Sequence, residues 1–245
     1  MKALILNSGM GSRMGEETKS HPKCMTIIQR DETILSRQLK QLVRFGIKDV
    51  IITTGYFDKV LIDYCRGLGL PIQYTFVKNE RYDSTNYIYS IYCAREELKN
   101  TDLIMMHGDL VFEDSCLEKS LLAKDSTMVI DSTLSLPEKD FKAVVENNAI
   151  KAIGIDFFEK AYAAQPLYKL NAEMWEKWLE NISVFCERDQ TACYAENAFN
   201  MISDECKITP LDVKGLFCNE IDTLEDWETV RKWLEENGTG SNQML

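Results

Sequence analysis

Four short segments are apolar through their centres, namely 2–6 (KALIL), 49–53 (DVIIT), 102–106 (DLIMM) and 126–131 (STMVID). Their lengths suit strands, and their unbroken apolar character marks strands covered on both faces rather than one. Between them the spacing is helical. Leu35, Leu39 and Leu42 put an amphipathic helix over 33–45, and Gly46 ends it as a left-handed C′ glycine would. Helices are also predicted near 57–66, 86–98 and 115–122, with a further strand near 71–77. In the 86–98 helix Ile88, Ile91, Tyr92 and Leu98 share a face, with Ser84 or Asn86 as cap. Strands alternating with helices give a parallel sheet with helices on both sides. Right-handed crossovers make it doubly wound. The expectation is an α/β chain with a doubly wound, mostly parallel central sheet.

After residue 135 the pattern changes. A hairpin is predicted over 141–153 across Asn147-Asn148, then a helix-rich stretch over 173–204 with Trp175, Trp178 and Leu179 on one face. Short strands fall in 207–218. A last helix over 223–236 turns Leu224, Trp227, Val230 and Leu234 inward, and 237–245 is expected to be a disordered tail.

Charge narrows the partners. Asp+Glu number 39 and Lys+Arg 28, a net charge of −11. This argues against nucleic acid, which wants a basic face, and against an anionic membrane surface. No apolar run approaches the roughly 18 residues of a membrane span. The N-terminal apolar stretch is too short for a secretory signal, so a cytoplasmic location is expected. Eight cysteines without a C-x-x-C pair, and only two histidines, offer no zinc spacing. Those cysteines are expected to be reduced and mostly buried. The charge is also polarised. Residues 1–48 hold nine Lys+Arg against four Asp+Glu, a local charge of +5, which leaves −16 for the rest. A small polyanion is therefore an eligible ligand.

The first strand runs directly into Asn7-Ser8-Gly9-Met10-Gly11-Ser12-Arg13. This is the carboxyl end of a parallel strand, where open α/β sheets bind ligands. Glycines let backbone N–H groups approach phosphates, and Arg13 adds a fixed guanidinium fork. The dinucleotide fingerprint fails because its third position is Met14, and the Walker loop fails for want of G-K-[ST]. An ordinary strand-to-helix turn stays open at this point. Pro22-Lys23 follows ten residues after Arg13. Such a lysine can neutralise charge on a transferring phosphoryl group, although a lone lysine is ordinarily a solvated surface charge.

A strand, G-x-G-S-R and then P-K together resemble the nucleotidyltransferases that activate phosphorylated small molecules with a nucleoside triphosphate. Three more segments are similar to a narrower branch, the bacterial choline-phosphate and 2-aminoethylphosphonate cytidylyltransferases. They are Asn79-Glu80-Arg81-Tyr82-Asp83-Ser84-Thr85-Asn86 before a Tyr-rich helix, Asp109 after an apolar strand, and Asn219-Glu220-Ile221-Asp222 before the last helix. The resemblance spans 1–236 and is strong in 1–110 and 215–234. Asn7-Ser8 departs from the usual pair of small residues, and His107-Gly108-Asp109 replaces a more acidic triplet.

The resemblance implies a Rossmann-like nucleotidyltransferase fold with a small helix-rich acceptor-binding region. It implies one domain over 1–236, comprising a nucleotide-binding part (1–135), an acceptor-binding part (136–218), and a metal ligand with the C-terminal helix (219–236). The implied reaction is Mg²⁺-dependent transfer of CMP from CTP to a small phosphorylated or phosphonylated amino alcohol, phosphocholine or 2-aminoethylphosphonate, with release of pyrophosphate. Positioning and charge stabilisation carry such a reaction without a protein nucleophile. By motif position Arg13 and Lys23 are catalytic. Asn7, Ser8, Gly9, Gly11, Ser12, Arg13, Lys23, Asn79, Ser84, Thr85, Asn86 and Asp109 bind the nucleotide. Asp109 and Asp222 hold the metal, and hard carboxylate oxygens suit Mg²⁺. Phe141, Glu196 and Glu220 receive the acceptor's cation through an aromatic face and carboxylates.

Each assignment has an ordinary alternative. Asp222-x-x-Glu225 could be a capping box, Phe141 a core aromatic, Glu196 a solvated helix residue. His107 is read as a strand-end packing residue. A sugar-1-phosphate nucleotidylyltransferase is the competing enzyme, a non-catalytic nucleotide-sensing module the competing class, and a homodimer stays open.

Overall fold

The computed structural model describes residues 1–9 and 11–237, with Ser12, Arg13 and Glu17 in backbone only. The expected tail beyond residue 237 lies outside the described residues. Strand β1 (Lys2–Leu6) sits inside the sheet because both of its faces are apolar. Leu4 and Leu6 enter one core layer, Ala3 and Ile5 the other. Parallel neighbours flank it: β4 (Asp49–Thr54) on one side and β6 (Leu103–His107) on the other, with β5 (Gln73–Lys78) beyond β4.

Helices cover both faces, as a doubly wound layout requires. The layer holding Ala3 and Ile5 is closed by α1 (Ile34–Arg44), α2 (Asp58–Gly67) and α4 (Asp114–Leu122). The layer holding Leu4 and Leu6 is closed by α3 (Tyr87–Leu98), α5 (Ala172–Glu187) and α6 (Ala195–Asn200). Trp175, Trp178 and Leu179 are buried there, as their helical spacing predicts. Asn86, not Ser84, caps α3.

The second half of the sheet departs most from the sequence reading, which placed no element over 155–170. Strand β11 (Ala161–Leu170) lies there, antiparallel to β6, to β8 (Thr127–Asp131) and to β9 (Lys142–Glu146). Pro166 hides this strand in the sequence, because proline donates no ladder hydrogen bond. It sits where the register against β8 shifts, between Gln165 and Tyr168. The predicted hairpin is β9 with β10 (Ala149–Gly154), and Asn147 and Asn148 both take the positive φ of its turn. With β12 (Thr209–Asp212) added beside β8, nine strands form one sheet. In it β10 and β11 oppose the other seven, so it is mostly parallel.

Two small ribbons complete the fold. Strands β2 (Ile27–Gln29) and β3 (Glu32–Thr33) pair beneath α7 (Leu224–Asn237). Val230 and Leu234 of α7 are buried against Ile28 and Val111, but Leu224 is exposed rather than inward. Strand β7 (Leu110–Phe112) pairs with β13 (Cys218–Glu220), which ties the C-terminal segment to the end of β6. Six cysteines are buried, Cys93 and Cys193 are half-buried, and all eight are free. Among the described residues no helix is long and apolar enough to cross a membrane.

Candidate active site

The carboxyl ends of β1 and β6 open onto a cavity of about 460 Å³. The glycine loop forms one wall. Gly11 has φ +65, and a Cβ there would lie 2.9 Å from Lys23 Cβ. The glycine therefore admits a left-handed turn and lets Pro22-Lys23 close against the loop. Gly108 is required by proximity alone, since a Cβ there would lie 1.6 Å from Asn7 Oδ1. Two segments far apart in sequence, the loop after β1 and the turn after β6, thus meet without a side chain between them.

The β7–β13 ribbon brings in the third segment. Leu110 pairs with Glu220, and Ile221 N–H donates to the Asp109 carbonyl at 3.0 Å. Asp222 is thereby carried opposite Asp109, with Lys23 Nζ between them, 2.6 Å from Asp109 Oδ2 and 2.5 Å from Asp222 Oδ1. Burial opposes the lysine's charge, but the two carboxylates more than offset it and hold its pKa above the ordinary range. Burial likewise opposes ionised Asp109, and Lys23 and His107 outweigh it. The capping alternative for Asp222 does not hold. Thr223 and Asp226 make the reciprocal cap of α7, in which the Asp226 carboxylate accepts from the N–H groups of Asp222 and Thr223.

At the other end of the cavity His107 lies between rings. Its centroid is 4.8 Å from that of Tyr87 and 6.2 Å from that of Phe141. Tyr194 closes the circuit, 5.2 Å from Phe141 and 5.8 Å from Tyr87. His107 Nδ1 and Glu220 Oε1 are 2.9 Å apart. Burial pushes the Glu220 carboxyl up, with Asp109 adding to the effect. Burial acts the other way on His107, but Glu220 prevails and raises the imidazole. His107 is the last residue of β6 and packs between rings, as the strand-end packing reading expects, and it also faces the cavity.

Asn7, Ser8, Gly9, Gly11, Lys23, Asn79, Thr85, Asn86, Asp109, Phe141, Glu220 and Asp222 all line this cavity. The side chains of Ser12 and Arg13 lie outside the described residues. Ser84 does not join them. It is exposed, and its hydroxyl turns back to the Arg81 carbonyl. Glu196 is corrected as well, being neither a solvated helix residue nor a lining residue. It is 1% exposed, and its carboxylate accepts from the hydroxyls of Tyr87 and Tyr168. Asn79 is buried and structural in part. It donates to Thr85 and Ser90 and accepts from Arg81 N–H, which shapes the loop that leads into α3.

Sequence reasoning missed Tyr87, Tyr194, Lys139 and Asp140 as lining residues. Tyr87 carried a usable signal, as the first residue of a Tyr-rich helix directly after a motif asparagine. The others are brought in by loops whose course the sequence does not specify.

Among the described residues, three buried polar atoms of lining residues find no hydrogen-bond partner, namely Asn7 Nδ2, Ser8 Oγ and Asp109 Oδ1. Buried polar groups are nearly always satisfied, so these three are atoms that water or a polar ligand would satisfy. Two carboxylates already converging on an ammonium, one with an orphaned oxygen, also fit a hard divalent cation. One ligand atom each of His107, Asp109 and Glu220 lies within 4.8 Å of the others.

Known proteins share this fold. The model of the MobA-like NTP transferase domain family matches residues 3–132. The CTP:phosphoglutamine cytidylyltransferase of Campylobacter jejuni is 30% identical over 135 residues, covering 53% of this chain and 52% of that protein. The chain thus spans about half the length of that relative. The choline-phosphate cytidylyltransferase of Streptococcus pneumoniae is 26% identical over 96% of this chain and 99% of its own. A solved structure of the pneumococcal CTP:phosphocholine cytidylyltransferase superposes with a TM-score of 0.74 at 21% identity, covering 95% of this chain and 98% of that one.

Proposed function

The chain belongs to the MobA-like NTP transferase domain family, and from that membership we propose that it is a cytidylyltransferase. It transfers CMP from CTP to a small phosphorylated or phosphonylated acceptor that bears an amine, phosphocholine or 2-aminoethylphosphonate, and releases pyrophosphate. The observation that carries this reading is the two-ended cavity. A cluster of Lys23, Asp109 and Asp222 lies at one end, and four rings backed by carboxylates lie at the other. The first suits a triphosphate with a cation, the second an ammonium group.

Asn7, Ser8, Gly9 and Gly11 hold the nucleotide with backbone and side-chain groups, and Asn79, Thr85 and Asn86 face it from the opposite loop. Asp109 and Asp222 would hold Mg²⁺, which would supply Lewis-acid neutralisation of the triphosphate. Lys23 then serves the phosphoryl under attack, while Arg13 is assigned to the triphosphate by its place in the motif. The acceptor's phosphate or phosphonate oxygen attacks the α-phosphorus, and the bond to pyrophosphate breaks. Only orientation and countercharge are asked of the protein.

Pyrophosphate release tests the reading, with four NTPs each offered phosphocholine, 2-aminoethylphosphonate and glucose 1-phosphate. CTP with an amine-bearing acceptor should give the fastest release. Release with the sugar phosphate alone would overturn the reading, and silence with every pair would favour a sensor.

A further inference from the structure

Resting on the cytidylyltransferase reading above, we propose that Lys142 is a positioning residue for the acceptor. Its ammonium clasps together the two loops that frame the acceptor end of the cavity, and so sets how closely that end fits its occupant. Lys142 opens β9 and is 0% exposed. Its cross-strand partners are Gly154 of β10 and Ala163 of β11, whose lack of bulk leaves room for the lysine stem on that face of the sheet. At the end of the stem, Nζ donates to the carbonyls of Pro137 at 2.5 Å and Asp140 at 3.2 Å. It also lies 4.4 Å from the centroid of the Phe158 ring. Lys142 itself does not line the cavity, so it reaches the acceptor only through the loops.

The three contacts belong to two loops. Residues 132–141, between β8 and β9, carry Lys139, Asp140 and Phe141 to the cavity. Residues 155–160, between β10 and β11, carry Ile155 to it. The first loop has little else to hold it. Among the described residues, the backbone of 135–139 makes one hydrogen bond, in which the Pro137 carbonyl accepts from Lys142. Without that tie the segment would be free to sample many backbone states. Burying an ammonium is costly unless its donors are used, and two of its three are spent on this loop. The third contact comes from the second loop. Phe158 is 55% exposed, so its ring gains little from burial. Attraction to a desolvated ammonium is what seats it over Lys142.

Three variants of the full chain test the clasp. Trypsin cleavage after Lys139 is followed by mass spectrometry, and kcat and KM by pyrophosphate release with phosphocholine and 2-aminoethylphosphonate. Lys142→Met and Phe158→Leu should each speed that cleavage and raise the acceptor's KM by about tenfold, with kcat and the KM of CTP little changed. Phe158→Leu should also leave the melting temperature in place, because the residue is exposed. Phe158→Tyr keeps the ring and should match wild type in every readout. If Lys142→Met does not fold, the two Phe158 variants decide. Wild-type cleavage and acceptor KM in Phe158→Leu overturn the proposal. So does a loss that falls equally on kcat and CTP, which would make the clasp a general scaffold, or one that Phe158→Tyr shares. Faster cleavage with an unchanged acceptor KM overturns it too, since the loop would then be tied for order alone. Wild-type protein that releases no pyrophosphate would overturn the cytidylyltransferase reading. Acceptor Kd by calorimetry then replaces KM, and the same pattern among the variants upholds the clasp. Wild-type protein that neither turns over nor binds either acceptor would overturn both.

Discussion

The cluster of Lys23, Asp109 and Asp222 sets one ammonium against two carboxylates, and paired carboxylates have the capacity to bind a divalent cation. Replacing either carboxylate by its amide keeps the shape and removes that capacity. Asp109→Asn and Asp222→Asn should each lower kcat by about 100-fold or more, with the melting temperature within a few degrees of wild type. Steady-state pyrophosphate release and thermal denaturation of the same samples check this. Near-normal turnover in either variant would remove that residue from the metal site. The cysteines give a second test at this scale. Burial pushes the thiols of Cys65 and Cys186 up to about 12. A chromogenic disulfide reagent at pH 8 should therefore modify Cys93 and Cys193 first, and the six buried thiols only after denaturation. Rapid modification of more than two thiols in the native protein would contradict the described burial.

Among the elements, the β7–β13 ribbon and the cap of α7 decide whether the site assembles. Asp222 is aimed at Lys23 because Ile221 is bonded to the Asp109 carbonyl on one side and Thr223 caps α7 on the other. Thr223→Ala removes that cap. It should cost about 1 kcal/mol of stability and weaken Mg²⁺ activation more than CTP affinity, as thermal melts and metal titrations at saturating CTP would show. Equal effects on both would mean that the cap serves stability alone. Elements also show where sequence reading succeeds. α1 was legible from Leu35, Leu39 and Leu42, and β1 from an unbroken apolar run, because local periodicity reports burial directly. β11 was not legible. Its Pro166 breaks the local rule for a strand, and three neighbouring strands supply the pairing that compensates.

For the whole molecule, the cavity draws on residues from 6 to 222, so its ligands join segments that no local contact holds. Binding to the native state alone stabilises by mass action. CTP with Mg²⁺ at about 100 times Kd should add about 2.7 kcal/mol, a rise in melting temperature of roughly 5–10 °C. EDTA should remove most of that shift, and Asp109→Asn should never show it. A shift with CTP that EDTA leaves intact would count against a metal-assisted site. The charge polarisation of the sequence takes spatial form here. The basic N-terminal segment delivers Lys23 to the cavity, and the acidic remainder delivers Asp109, Glu220 and Asp222.

The sequence by itself determined the covered parallel strands, the helices that flank them and the glycine loop, together with half of the residues that line the cavity. Each of those signals is local, a matter of apolar spacing or a motif within a few positions. Tertiary structure alone decided the rest. It placed His107 among rings, turned Ser84 outward, gave the cap of α7 to Thr223 and set Glu196 behind the wall instead of in it. These outcomes depend on which chain segments meet across the β7–β13 ribbon and around β11, and such pairings are set by the energy of the assembled core rather than by any one stretch of residues.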